Sequence, residues 1–111
     1  MPYNKVLTWQ PRGRPGAYIS VGSYNTVRDF IFQTLRAEDI TLTELLELGK
    51  VHLIQSVPGD IAWNILIVKR DLEARGLIRN IVRWAPYKTH FLRLNQRVLK
   101  KYNRNLVQGN S

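Results

Sequence analysis

Val68-Lys-Arg-Asp-Leu-Glu-Ala-Arg-Gly-Leu-Ile78 is the stretch in which the hydrophobic period of this chain changes. Up to Arg75 the apolar residues recur at helical spacing. With Ile61 at zero on a wheel of about 100° per residue, Ile61, Ile65, Val68 and Leu72 fall within about 60° of one another. Asp60 is a suitable N-cap, and Gly76 stands just past the helix end, where a left-handed backbone is least strained in glycine. Beyond Gly76, Leu77, Ile78, Ile81 and Val82 follow a roughly alternating pattern that predicts a strand to Trp84. Thr89 to Leu94 predicts its partner, with Ala85-Pro-Tyr-Lys88 as the turn. A helix over 60–75 feeding directly into a β-hairpin makes the expected class α+β.

Two further helices are expected upstream. Ser23 is read as the N-cap of the first, which runs to about Arg36 with Val27, Phe30, Ile31 and Leu35 on one stripe. Glu38-Asp39 forms a turn, and Ile40 a one-bridge strand. Thr41-Leu-Thr-Glu44 fits a capping box and opens the second helix, with Leu42, Leu45, Leu46 and Leu48. Gly49 either stops that helix or sits within it, and Ser56-Val-Pro-Gly59 is a loop. Three segments follow: a basic Pro/Gly-rich arm over 1–22, a helical and hairpin domain over 23–95, and a basic C-terminal helix and tail over 96–111, helical to about 104. In the arm, Val6, Leu7 and Trp9 offer a short strand or a hydrophobic clip.

Three helices followed by a hairpin, with a short strand after the first helix, resembles the winged helix-turn-helix over residues 23–95. The most specific part is 68–78, where Leu72-x-x-x-Gly76 turns the third helix into the first strand of the wing. The same stretch, with Trp63 upstream and the Pro-Gly arm before the first helix, looks like a small uncharacterised family of bacterial winged-helix proteins, which implies no established activity. The winged-helix resemblance implies a three-helix core plus a β-hairpin wing. It also implies that the helix over 60–75 occupies the recognition-helix position.

Charge points the same way. All eight acidic residues lie between Asp29 and Glu73, whereas residues 77–111 hold eight Lys/Arg and no acid, and the whole chain carries a formal +9. A near-neutral middle flanked by basic ends suits a polyanion partner, because Lys and Arg release counterions from phosphates. The expected ligand is nucleic acid, DNA ahead of RNA, and the expected role a small transcriptional regulator or chromosome-associated factor. Arg12 and Arg14 in the arm, Asn64, Lys69 and Arg70 on the third helix, and Arg79, Arg83, Lys88 and Arg93 on the hairpin are the candidate contacts. Arg97, Lys100 and Lys101 extend them into the last helix. Trp84, Tyr87 and Tyr102 add stacking surfaces.

The rival expectation is a protein-interaction or homodimerisation module without DNA reading. It rests on Trp63, Leu66 and Ile67, which fall on the far side of the third helix from its core stripe. The 111 residues fit one domain, 44% hydrophobic and 23% charged, an ordinary globular balance. No apolar run approaches the roughly 20 residues of a membrane span, and no secretory leader is recognisable. A cytoplasmic or nucleoid-associated location is therefore expected.

Catalytic patterns are not found. The chain has no cysteine, so it has no disulfide, thiolate or Cys-based zinc site. His52 and His90 stand apart from carboxylate pairs. Asp71 and Glu73 diverge by about 160° on the helix and are read as surface partners of Arg75 and Arg70 respectively. No phosphate-binding glycine loop or serine elbow occurs. Neither enzyme activity nor a cofactor is expected.

Overall fold

A computed structural model of the chain describes residues 4–109, with side chains through Tyr102. It is an α+β assembly of four helices and two antiparallel hairpins. Strand β1 (Lys5–Gln10) and strand β2 (Arg14–Ser20), joined by a short turn at Pro11–Gly13, form the first hairpin. Helices α1 (Val21–Ala37), α2 (Leu42–His52) and α3 (Ile61–Ala74) follow. Strands β3 (Ile78–Arg83) and β4 (Thr89–Leu94) make the second hairpin, and α4 (Gln96–Gly109) ends the chain.

Local chemistry sets most boundaries. The α2 capping box closes as expected, with Thr41 N–H donating to Glu44 Oε1 at 3.0 Å and Glu44 N–H to Thr41 Oγ1 at 3.1 Å. Asp60 caps α3 by accepting from Trp63 N–H at 3.0 Å. At the other end Gly76 has φ +76°, and Leu77 N–H reaches Leu72 O while Gly76 N–H reaches Glu73 O, each at 2.9 Å. This is a Schellman closure, and the buried Leu72 and Leu77 supply its hydrophobic contact. Gly49 sits inside α2, not at its end. A Cβ there would overlap Ile65 Cδ1, so a larger residue at 49 would require the Ile65 side chain of α3 to move.

The core joins Val27, Ile31 and Leu35 of α1, Leu45 of α2 and Ile65, Val68 and Leu72 of α3. Ile78, Leu92 and Leu94 of the second hairpin and Leu99 of α4 complete it. Each such side chain stabilises the fold by about 1.5–3 kcal/mol through burial. Leu92 N–H donates to Ile40 O at 2.7 Å, so the expected one-residue bridge is present and pins β4 to the α1–α2 corner.

Three boundaries differ from the sequence reading. The α1 N-cap is Ser20, whose Oγ accepts from Ser23 N–H at 3.2 Å, so the helix starts earlier than a Ser23 cap would allow. Helix α4 continues past 104 to Gly109, and residues 110–111 of the expected tail lie outside the described residues. The segment expected as an arm is a folded hairpin over 5–20; Pro2 lies outside the described residues. Its register slips between Leu7 and Trp9. There the buried Thr8 hydroxyl donates to Ala17 O at 2.8 Å and accepts from Ala17 N–H at 3.0 Å, replacing backbone rungs across the irregularity.

Asp71 fastens this hairpin to the helices. Fully buried on α3, it accepts from Trp9 N–H at 2.8 Å on Oδ1. Its Oδ2 accepts from the Tyr24 hydroxyl of α1 and from Arg75 Nε, the latter at 2.7 Å. Burial, reinforced by the hydrogen bond to Asp71, raises the Tyr24 pKa, which keeps this hydroxyl a donor. Replacing Asp71 by Ala leaves a buried hydroxyl and a backbone N–H without their acceptor. Urea unfolding should show a loss of about 3–5 kcal/mol for Asp71→Ala. Tyr24→Phe, which removes one hydrogen bond to a charged group, should cost about 1.5–3 kcal/mol. Wild-type stability in Asp71→Ala would remove the carboxylate from its central place.

Candidate nucleic-acid interface

Strand alternation divides the second hairpin into two faces. Ile78 pairs with Leu94 and Asn80 with Leu92, and the burial of Ile78, Leu92 and Leu94 turns this face inward. Arg79 opposite Arg93, Ile81 opposite Phe91 and Arg83 opposite Thr89 therefore share the outer face. Two of these three arginines, Arg83 and Arg93, meet at one carboxylate. Arg93 donates to Asp39 Oδ2 from Nη2 at 2.6 Å and from Nε at 3.0 Å, and Arg83 Nη2 reaches the same oxygen at 3.2 Å. The Arg83 guanidinium carbon also lies 4.5 Å from the Phe91 ring centre. Hydrogen bonding from Arg93, joined by the charges of Arg93 and Arg83, holds the Asp39 carboxyl below its ordinary value. Among the described residues Arg79 makes no ion pair, although it stands directly opposite Arg93. Like charges in that position destabilise a sheet.

The basic character continues beyond the sheet. At the turn, Trp84 and Tyr87 are 69% and 77% exposed, and Lys88 Nζ lies 5.1 Å from the Trp84 ring centre. Asn95 begins α4, its Oδ1 accepting from Val98 N–H at 3.4 Å. The helix buries Leu99 and half-buries Val98 and Tyr102, whose ring meets Phe32 edge-on at 6.3 Å. Arg97, Lys100 and Lys101 lie within about 100° of one another on the opposite side, and all three are exposed.

The other expected contacts are placed differently. Asn64 is buried and its Nδ2 donates to Asp60 O at 2.7 Å, so its amide is engaged within α3 rather than held out toward a base. Lys69 is largely buried and paired with Glu73 at 2.7 Å, so Glu73 is neutralised by Lys69 and not by Arg70. The Asp71–Arg75 pair does form, but inside the protein rather than on the helix surface. Arg70 remains exposed. Arg12 and Arg14, exposed at the first hairpin's turn, sit beside α3 because that turn packs on it.

The Trp63, Leu66 and Ile67 face is not continuous. Ile67 is 8% exposed and Leu66 half-buried, and only Trp63, at 43%, is open. Ile67 lies outside the main core cluster, and the element packed along α3 there is the first hairpin. Exposed aliphatic side chains gather instead on α2 and just beyond it, at Leu48, Val51 and Ile54. Glu38, Glu44 and Glu47 border a groove beside Leu48 and Val51, giving this surface the opposite sign to the second hairpin. Asp39 and Asp71, which organise both halves of the molecule, carried no functional signal in the sequence. Their partners are up to 62 residues away.

An α+β chain with one internally buried carboxylate hub and one arginine-rich hairpin face is thus defined. The chain belongs to the family of unknown function DUF6958, which matches residues 5–89, from the start of β1 to the first residue of β4. No curated protein and no solved structure matches it. Among the described residues no His, Asp and Glu cluster is suited to a metal ion, and no helix is long and apolar enough to cross a membrane.

The depressed Asp39 value sets a pH dependence. Its folded pKa lies below the unfolded one, so the ion cluster contributes fully above the ordinary aspartate range, and the contribution is lost as pH falls through the folded value. By NMR the Asp39 carboxyl should titrate below the roughly 3.9 of a model peptide, and Arg93→Ala should move it upward. An Asp39 midpoint indifferent to Arg93→Ala would dissociate the shift from the arginine.

Proposed function

We propose that this protein is a winged-helix nucleic-acid-binding protein that takes double-stranded DNA, acting as a small transcriptional regulator or chromosome-associated factor and not as an enzyme. The observation that carries the reading is the outer face of β3–β4, where Arg83 and Arg93 share the single carboxylate of Asp39 and Arg79, opposite Arg93, makes no ion pair among the described residues. An unpaired arginine directly across from another is unfavourable in the free protein and favourable against phosphates.

The order α1, Ile40 bridge, α2, α3, β3, β4 supports the winged-helix assignment. In that assignment β3–β4 is the wing and α3 the recognition helix. The first hairpin lies along α3, and both Asn64 and Lys69 are engaged internally. Base reading by α3 is therefore limited to the neighbourhood of Trp63 and Arg70. Affinity comes chiefly from phosphate contacts by the wing and by Arg97, Lys100 and Lys101. Binding of this kind is strongly salt-dependent and weakly sequence-dependent.

Anisotropy titrations of a labelled duplex across salt concentrations test this. The combined Arg79→Ala, Lys88→Ala, Lys100→Ala and Lys101→Ala variant should bind more weakly, with its log–log salt slope flattened by up to about 0.9 per lost contact. Asp39→Asn, which frees Arg83 and Arg93, should tighten binding and steepen the slope. An unaltered slope in the four-site variant would eliminate this surface as the interface.

A further inference from the structure

We propose that the tip of the β3–β4 hairpin is a stacking site for unpaired nucleobases, so that the ligand is a duplex carrying a single-stranded end or opening. The proposal rests on the nucleic-acid reading above and names the substrate class within it. Trp84 and Tyr87 are the two most exposed aromatic side chains among the described residues. Both lie in the connection between the strands, Trp84 just after β3 and Tyr87 two residues before β4, at the end of the hairpin remote from Ile78 and Leu94, which are anchored in the core. The ladder from Ile78–Leu94 to Arg83–Thr89 holds both rings out at the end of a paired, braced element.

Neither ring contributes to the hydrophobic cluster, so the fold gains little from their size. What surrounds them is cationic: Lys88 stands over Trp84, Arg83 over Phe91, and no acid occurs anywhere in 77–111. Flat aromatic faces beside backbone-neutralising cations are the arrangement that holds single strands, because any base offers a π-face. A base inside a duplex already has both faces covered by its neighbours. Rings at this tip therefore find open faces only at a frayed end, a fork or an unpaired segment. The outer arginines, on the same hairpin, would hold the adjoining duplex by its phosphates. An aromatic, cationic tip also suits a lipid–water interface, but a lipid surface would leave the row of arginines leading to the base of the sheet without a role.

The test compares a blunt duplex with the same duplex bearing an unpaired fork, by anisotropy at one fixed salt concentration. Anionic phospholipid vesicles are titrated in parallel. The wild-type protein should prefer the fork by at least about five-fold, the lower bound for one stacked base. Trp84→Ala with Tyr87→Ala should abolish the preference while leaving blunt-duplex affinity within about two-fold, which also reports that the fold is intact. Trp84→Phe, which keeps a ring, should retain most of the preference. Equal binding of fork and blunt duplex by the wild type would overturn the stacking site and leave the proposed function standing. Binding to neither DNA would overturn both. Tip-dependent binding to vesicles with no fork preference would assign the tip to lipid instead.

Discussion

The buried carboxylate of Asp71 is the constraint on which the rest of the arrangement depends. Each of its donors comes from a different part of the chain: a strand amide at Trp9, a phenol on α1 at Tyr24, and a guanidinium one turn along α3 at Arg75. A buried carboxylate is tolerated only when both its oxygens are hydrogen-bonded, and these three donors do that. The result is directional. The first hairpin must run where Trp9 N–H can reach α3, so it lies along the helix flank that a reading of α3 alone leaves open. Ile67 is buried, and the exposed residues near this part of α3 are Trp63 and Arg70.

Asp39 plays a different part. Its arginine partners are about half exposed, and ion pairs with such solvated groups add little to stability. Its effect is positional: Ile40 bridges to Leu92, and the side chain of the preceding residue then lies beside Arg93 and Arg83. One negative charge orders two arginines on the outer face of the second hairpin without neutralising the face. The same carboxylate offsets part of the positive charge of this face, which Arg79 leaves unbalanced.

Local signals were legible in the sequence. The capping box at Thr41–Glu44, the Asp60 cap, the Gly76 terminator and the second hairpin each depend on residues a few positions apart, and each is where the pattern put it. The start of α1 was not, because Ser20 and Ser23 offer the same capping chemistry, and the choice falls to the strand that delivers the chain at Ser20. The first hairpin was hidden by its prolines and glycines, which read as interruptions. What closes it is the Thr8 hydroxyl standing in for backbone rungs and a carboxylate 62 residues away. Among candidate contacts, residue type alone nominated Asn64 and Lys69, and their neighbours on the folded helix, Asp60 and Glu73, engage them. Arg97, Lys100 and Lys101 needed no tertiary information, since an amphipathic helix turns them outward together.

The balance of pairing shows where the surplus positive charge is left. Asp29, Asp39, Asp71 and Glu73 are held by arginine or lysine, and Asp60 and Glu44 serve as helix caps. The acids are thus largely consumed by the fold itself. Among the described residues Arg70, Arg79, Lys88, Arg97, Lys100 and Lys101 have no such partner, so they do not repay in ion pairing the repulsion that a formal +9 creates. Self-repulsion of this kind weakens a compact state. A fold assembled for stability alone would place acids among these cations, as it does around Asp39 and Asp71. Apart from Arg70 on α3, these cations lie on the second hairpin and one face of α4, whereas Glu38, Glu44 and Glu47 border the groove on the α2 side, so the two surfaces carry opposite charge.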